Sequence, residues 1–306
     1  MNLVTLPTGC CIRFAALGLA LLVVAGCQRA EQLGPVAEAS SAERIREAFG
    51  ATVIEGVEED ASTETVVAGW GSLRGRFVFE GQPPPAESIS ITKDPEYCGK
   101  HDLKEETVTV SADGGLANAF VFLNPKRGET VAVHPDYDQP GIKPIILNNQ
   151  GCRFEPHALV VYTAQPLEIR NSDPGVGHNT NGQTLGKNAK FNDMVSNQAP
   201  VTKKFGKSES QPAEIACSIH PWMKAYVLIR ENPYMVVSTA DGSFEIKNMP
   251  AGEHEFIFWH EAVKSLRGIS VGGAETSNKG KVKLTIPADG ELDLGEINVP
   301  SAALGG

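Results

Sequence analysis

The chain has 306 residues, enough for two domains of ordinary size or for one large β-sandwich assembly. Its 31 glycines, 20 prolines and 21% charged residues indicate a β protein that is rich in turns. Lys and Arg number 27 against 37 Asp and Glu, so the net charge is -10. This charge argues against nucleic acid and against an anionic membrane surface as binding partners, and it favours solubility and basic partners.

The N-terminus predicts export from the cytoplasm. Arg13 precedes an apolar stretch over 14–25 that has the length of a signal-peptide core and is too short to span a membrane. The stretch ends in the letters VAGC at 24–27, which resemble the bacterial lipobox. We therefore predict a lipoprotein signal peptide over 1–26 and lipidation of Cys27, with an ordinary secretory signal as the alternative. By the same resemblance, Gln28 favours an outer-membrane anchor on the periplasmic side of the cell envelope.

Residues 27–69 are dominated by Ala, Glu, Ser and Thr and have few apolar side chains. Such a composition buries too little apolar surface to offset the conformational entropy of the chain. We predict a disordered tether over this stretch.

Short strands are predicted from Trp70 onwards. Residues 73–79 alternate in polarity, and an Asp-Gly-Gly turn near 113–115 predicts a hairpin between 107–110 and 116–123. Further short apolar runs lie at 145–147, 158–162 and 167–169, without any segment of helical period between them. The pattern predicts an all-β fold of antiparallel sandwiches.

One heptapeptide carries the chemistry. Residues 217–223 read CSIHPWM between two β-rich runs, which places Cys217, His220 and Met223 on one tight loop. A thiolate, an imidazole and a weak thioether are the donors that select copper in both of its oxidation states. Zinc is the main competitor, but structural zinc sites usually contain a Cys-x2-Cys pair, which this chain lacks. A complete copper site needs a second imidazole from elsewhere.

His178 is the best-placed second imidazole, about 40 residues before Cys217 in an Asn- and Gly-rich loop. The region resembles the first ligand loop of the cupredoxins, on residues 154–156, the strand at 167–170, Asn171, Asp173, His178 and Asn179. The heptapeptide resembles their second ligand loop, in the short spacing of the amicyanin group. The resemblance implies an antiparallel Greek-key cupredoxin sandwich over 145–230. It also implies one type 1 copper ion, with His178, Cys217 and His220 as ligands and Met223 as a weak axial ligand. The binuclear copper centre of oxidases needs a second Cys at position 213, where this chain has Ala.

Of the five cysteines outside this loop, Cys10 and Cys11 would leave with the signal peptide and Cys27 would be lipidated, so two remain. Cys98 and Cys152 can form one disulfide in an oxidising compartment, or they can remain two unpaired buried thiols.

The C-terminal part has a different character. The letters DGSFEI at 241–246 and MPAGE at 249–253 resemble the prealbumin-type β-sandwich of the carboxypeptidase regulatory-like family. We assign this sandwich to 231–300, and an N-terminal β segment at 70–144 could belong to either sandwich. The combination resembles the bacterial proteins labelled methylamine utilisation.

These features predict a protein that transfers single electrons to or from a redox partner protein. The sequence offers no open site with an acid and a base, so enzymatic turnover is not predicted. Pro221 and Trp222 are expected to form an apolar docking patch near His220. The alternative is a carbohydrate- or surface-binding β-sandwich with a copper-storing or relic site. The other histidines are expected to be structural or solvated, with a supporting role beside the metal ligands as the alternative for His157.

Overall fold

The computed structural model of the chain describes residues 67–137 and 143–305. The predicted signal peptide, the lipidation site Cys27 and nearly all of the predicted tether lie outside these residues and stay predictions. Among the residues described, none of the helices has the length and apolar character needed to cross a membrane.

Strands dominate the described residues, and the single α-helix, α1, spans only Pro95–Cys98. Two 3-10 turns lie at Pro135–Tyr137 and Ser301–Leu304. The strands are, in chain order, β1 (Trp70–Glu80), β2 (Phe120–Leu123), β3 (Ile145–Asn149), β4 (Phe154–Glu155), β5 (Ala158–Tyr162), β6 (Leu167–Asn171), β7 (His178–Gln183), β8 (Phe191–Val195), β9 (Val201–Lys203), β10 (Ala213–Ala216), β11 (Lys224–Arg230), β12 (Met235–Val237), β13 (Ser243–Pro250), β14 (Gly252–Trp259), β15 (Ser270–Val271), β16 (Ala274–Glu275), β17 (Lys281–Ile286) and β18 (Glu291–Pro300).

The strands β3 to β11 form one sandwich, which we call the metal-side sandwich. A five-stranded sheet in the order β5-β11-β10-β7-β8 faces a four-stranded sheet in the order β4-β3-β6-β9. Alternate side chains of both sheets, such as Leu147, Ile169 and Ile215, are fully buried between them. Cys217 and Met223 belong to the same buried cluster, so the metal-binding candidates extend the core of this sandwich.

The second sandwich, which we call the C-terminal sandwich, recruits two strands from the N-terminal segment. A three-stranded sheet in the order β13-β1-β18 faces a four-stranded sheet in the order β12-β2-β14-β17. Leu73 and Phe77 of β1 pack in its core with Phe256 and Phe258 of β14. The strands of residues 70–144 therefore pair in the C-terminal sandwich, and β1 begins at Trp70 as the sequence predicts.

The two sandwiches share a buried interface. Phe120 and Phe122 of β2 and Trp259 of β14 pack against Tyr226 and Leu228 of β11. Strand β11 is therefore covered on both faces, and six of its seven residues are buried. A strand buried on both sides is expected to be apolar nearly throughout, as the letters AYVLI at 225–229 are.

The predicted all-β class is confirmed. The pairing is mixed, because three strand pairs are parallel: β1 with β18, β5 with β11, and β3 with β6. Parallel neighbours need a long connection between them. For β3 and β6 that connection passes through β5 in the opposite sheet. The predicted hairpin near 113–115 is reduced to one bridge between Val110 and Leu116.

Candidate metal centre

The second ligand loop is closed on itself by backbone hydrogen bonds. It connects the antiparallel strands β10 and β11. The Cys217 N–H donates to the Met223 carbonyl at 3.1 Å, and the Met223 N–H donates to the His220 carbonyl at 2.9 Å. Because these bonds fix the backbone at all three residues, the loop presents its side chains in a defined arrangement before any metal binds.

The first ligand loop approaches from the neighbouring strand. His178 is the first residue of β7, which pairs with β10 in the same sheet. The chain therefore brings His178 to the end of the sheet where Cys217 leaves β10.

Three predicted donors converge in the interior. One ligand atom from each of His178, Cys217 and His220 lies within 4.8 Å of the others, and all three side chains are buried. The distance from Cys217 Sγ to His220 Nδ1 is 3.7 Å. His178 Nδ1 is buried and makes no hydrogen bond. A buried polar atom without a partner is costly unless a ligand completes it, so this nitrogen fits a metal ion.

Met223 is 1% exposed and packs in the same buried cluster as Cys217. The thioether therefore lies in the apolar surroundings of the thiolate. Cys217 is the one free cysteine among the residues described.

Each imidazole turns its other nitrogen toward a carboxylate. His178 Nε2 lies 2.9 Å from Asp173 Oδ2, and His220 Nε2 lies 2.8 Å from Asp94 Oδ2. Histidines that bind metals usually donate their second N–H in this way, which fixes the ring and raises its basicity as a ligand. Both Nδ1 atoms are thereby left for a metal ion.

Asp173 is itself held by backbone N–H groups at Cys152, one of the two cysteines of the predicted disulfide pair. The Gly151 and Cys152 N–H groups donate to its two oxygens at 2.6 and 2.9 Å. Burial raises the pKa of Asp173, but the His178 imidazole and these N–H donors outweigh it and lower the pKa overall. Asp173 is therefore a carboxylate that stabilises a proton on His178 Nε2.

The electrostatics of the site favour the thiolate form of Cys217. Burial raises the pKa of this thiol, but the adjacent His178 imidazole and the backbone N–H groups of His220 and Asn179 outweigh burial and lower it. Burial lowers the pKa of His178, but Asp173 and Cys217 outweigh burial and raise it. The thiolate is the form of Cys217 that binds metals, whereas a metal ion bound at His178 Nδ1 would have to displace the proton that the raised pKa favours on this imidazole.

The predicted pair Cys98 and Cys152 is joined in a disulfide. Cys152, Asp173 and His178 also form a compact group, but the Cys152 sulfur is already bonded to Cys98. We therefore regard the group of His178, Cys217 and His220 as the candidate metal centre.

The docking patch predicted beside His220 stays a prediction, with Pro221 exposed and Trp222 half-buried. The side chain of His220 is 0% exposed, and its outer nitrogen contacts Asp94. Trp222 donates its indole N–H to the Cys152 carbonyl at 3.0 Å, so it packs on the disulfide rather than facing solvent freely. No local pattern marks Asp94 in the sequence; the only signal is that Pro95 follows it at a helix start.

His157 lies outside the metal centre. It is buried between Glu261 and Glu106, with His157 Nε2 at 2.5 Å from a Glu261 oxygen. This agrees with the structural role that the sequence predicts.

No protein-family model matches the chain, and no curated protein matches it. Several solved structures resemble part of it. A Cu-containing nitrite reductase from Thermus scotoductus SA-01 is 22% identical with a TM-score of 0.28, and the match covers 33% of this chain and 27% of that one. This chain therefore spans about a quarter of the nitrite reductase.

Two smaller proteins are matched over nearly their whole length. Amicyanin from Paracoccus versutus is 13% identical with a TM-score of 0.25, over 36% of this chain and 97% of that one. A purple cupredoxin from Nitrosopumilus maritimus is 18% identical with a TM-score of 0.23, over 28% of this chain and 98% of that one. Because the identities and TM-scores are low, we transfer no function from these proteins and rely on the residues of the site.

Proposed function

We propose that this chain is a mononuclear type 1 copper protein that transfers single electrons. His178, Cys217 and His220 would hold the ion, with Met223 as a weak fourth ligand. The observation that carries the proposal is the buried convergence of two imidazoles and one free thiol, with His178 Nδ1 left without a hydrogen bond.

The donor set agrees with copper better than with zinc. Bound copper would supply one-electron chemistry, because thiolate, imidazole and thioether ligands suit both Cu(I) and Cu(II). A structural zinc site is usually completed by four strong ligands, and the group of His178, Cys217 and His220 offers one free thiolate and two imidazoles.

The surroundings of the donors favour electron transfer over turnover of a substrate. The side chains of His178 and His220 are 0% exposed and that of Cys217 is 2% exposed. The hydrogen bonds of both imidazoles to carboxylates and the closed second ligand loop restrain the donors. These features exclude water from the donors and limit how far they can move when the charge of the site changes.

The N-terminal sequence supports a proposal for the location of the protein. We propose that Cys27 is lipidated and anchors the chain at the periplasmic side of the cell envelope. A redox partner protein would exchange electrons with it there, and the net charge of -10 favours a partner with a basic surface.

Cu(II) binding to the full chain tests the proposal. We expect an intense thiolate-to-copper absorption band at one copper per chain, and Cys217→Ser should abolish the band. His178→Gln should weaken copper binding, whereas His254→Gln, which changes a histidine bonded to the Pro250 carbonyl, should leave the band unchanged.

A colourless wild-type protein under these conditions would contradict the type 1 site. A wild-type band that persists in His178→Gln would show that the second imidazole is another residue. Loss of the band in His254→Gln would show that the variants act through a general loss of structure.

A further inference from the structure

The outer nitrogen of His220 faces a carboxylate of the same chain. His220 Nε2 lies 2.8 Å from Asp94 Oδ2, and the His220 side chain is 0% exposed while that of Asp94 is 48% exposed. A carboxylate accepts a hydrogen bond from an imidazole N–H, so it favours the tautomer with the proton on Nε2. In that tautomer the lone pair of Nδ1 is directed to the side of Cys217, whose sulfur lies 3.7 Å away.

Asp94 belongs to a segment that is closed at its base and pinned at its centre. We call residues 88–104 the cap. The Ile89 N–H donates to the Leu103 carbonyl at 3.0 Å and the Glu105 N–H to the Glu87 carbonyl at 2.9 Å, which closes the base. Cys98 at the centre is bonded to Cys152 of the metal-side sandwich. The position of Asp94 is therefore fixed from both sides.

The backbone of Asp94 is also fixed. Its carbonyl accepts hydrogen bonds from the N–H groups of Tyr97 and Cys98 at 3.0 and 2.8 Å. Its φ of 46° lies in the left-handed region, which Asp, Asn and Gly tolerate better than other residues. This conformation allows Asn and Gly to replace Asp94 without forcing the backbone to change.

The cap reaches the second imidazole as well. The Tyr97 hydroxyl donates to Asp173 Oδ1 at 3.0 Å, and Asp173 Oδ2 lies 2.9 Å from His178 Nε2. Asp94 is therefore the hydrogen-bond partner of His220, and Tyr97, three residues later, binds the carboxylate that is the partner of His178. A coincidental surface ion pair would not explain both contacts.

We propose that Asp94 is a positioning residue for His220, and that the cap closes the His220 edge of the metal centre to solvent and to small ligands. The effects on a bound metal ion rest on the proposed copper function. The shielding of His220 by Asp94 requires no metal and rests on the contacts described above.

Two substitutions in the full chain test this role. Asp94→Gly removes the carboxylate and retains the backbone conformation, whereas Asp94→Asn keeps an oxygen that can accept the Nε2–H. Asp102→Asn is the matched control, because Asp102 lies on the same cap, is 83% exposed and pairs with Lys104.

Three readouts separate positioning from general stability. Nuclear magnetic resonance of the His220 ring measures solvent exchange of its Nε2–H in the metal-free and Zn(II)-loaded protein. Titration with Zn(II) measures metal affinity without redox chemistry. Addition of azide to the Cu(II)-loaded protein measures access of a small anion, read from the absorption and electron paramagnetic resonance spectra.

We expect slow Nε2–H exchange and no response to azide in the wild type and in Asp102→Asn. Asp94→Gly should exchange at least about 10-fold faster, bind Zn(II) about 10- to 100-fold more weakly and respond to azide. Asp94→Asn should lie close to the wild type, because the amide oxygen restores the acceptor.

Wild-type values of exchange and Zn(II) affinity in Asp94→Gly would overturn the proposal. Fast Nε2–H exchange in the wild type would overturn it without any variant, which covers the case that Asp94→Gly does not fold. A chain that binds no copper but shows slow exchange that depends on Asp94 would refute the proposed function and support the shielding role.

Discussion

At the scale of single residues, Asn179 joins the two ligand loops. Its Oδ1 accepts the Ser218 N–H at 2.8 Å and lies 3.3 Å from Cys217 Sγ. Its Nδ2 donates to Asn192 Oδ1 at 2.6 Å, and Asn179 itself is 5% exposed. Asn179, the neighbour of His178, therefore binds Ser218, the neighbour of Cys217. This hydrogen bond couples the position of His178 to that of Cys217.

We predict that Asn179→Ala weakens Zn(II) binding about 10- to 100-fold, because residues that orient metal ligands commonly contribute this much to affinity. The free energy of unfolding should fall by about 1–3 kcal/mol, because the Ser218 N–H loses its acceptor. Zn(II) titration and denaturant unfolding measure the two effects. Asn192→Ala removes only the outer hydrogen bond and is the control. Equal losses of affinity in both variants would contradict the specific role of Asn179.

At the scale of elements, local patterns account for the strands and the second ligand loop. Alternating or apolar runs predict β1, β5 and β6, and the spacing of Cys217, His220 and Met223 predicts one shared loop. These features depend on neighbours within a few residues, so a single sequence reveals them. His178 is predicted as a ligand by the resemblance of a longer stretch of sequence to a known ligand loop.

The cap could not be predicted in the same way. Its helix has four residues, and its contacts are with residues far along the chain: Asp94 with His220, Tyr97 with Asp173, and Cys98 with Cys152. The sequence indicated that the two cysteines could pair but not that their disulfide would place a carboxylate over His220. The parallel strand pairs were missed for a similar reason, since strand order depends on connections across the whole fold.

At the scale of the whole molecule, the four larger sheets of the described residues pack through three of the apolar clusters. Two of these clusters are the cores of the two sandwiches. The third is the interface between them, formed by Phe120, Phe122, Trp259, Tyr226 and Leu228. Arg230 crosses this interface, donating to the Leu123 carbonyl of the C-terminal sandwich at 2.8 Å. The metal-side sandwich is therefore supported by the C-terminal sandwich along its five-stranded sheet.

His157 adds an electrostatic link between the two sandwiches. It lies just before β5, is 8% exposed, and contacts Glu261, which follows β14, and Glu106, which follows the cap. Burial lowers the pKa of His157, but the two carboxylates outweigh burial and raise it to about 9. The charged form is therefore favoured by folding.

We predict that stability falls between neutral and alkaline pH because of this group. A folded-state pKa above the unfolded value of about 6.5 means that the contribution of His157 is complete below that pH and is lost as pH rises through about 9. The loss amounts to at most about 3 kcal/mol. Unfolding in denaturant from about pH 6 to about pH 10, a range that spans both pKa values, measures it.

His157→Gln should be less stable than the wild type at about pH 6, where His157 is charged, and its stability should not show this alkaline loss. His254→Gln is the control and should follow the wild-type curve. A wild-type curve that His157→Gln reproduces would contradict the assignment of the alkaline loss to His157.

A redox titration of the copper-loaded full chain tests the central claim most directly. We predict that one electron per chain bleaches the thiolate-to-copper absorption band, that reoxidation restores it fully, and that the copper remains bound throughout. Release of the copper on reduction, or a band that does not return on reoxidation, would contradict electron transfer and would favour a storing or relic site.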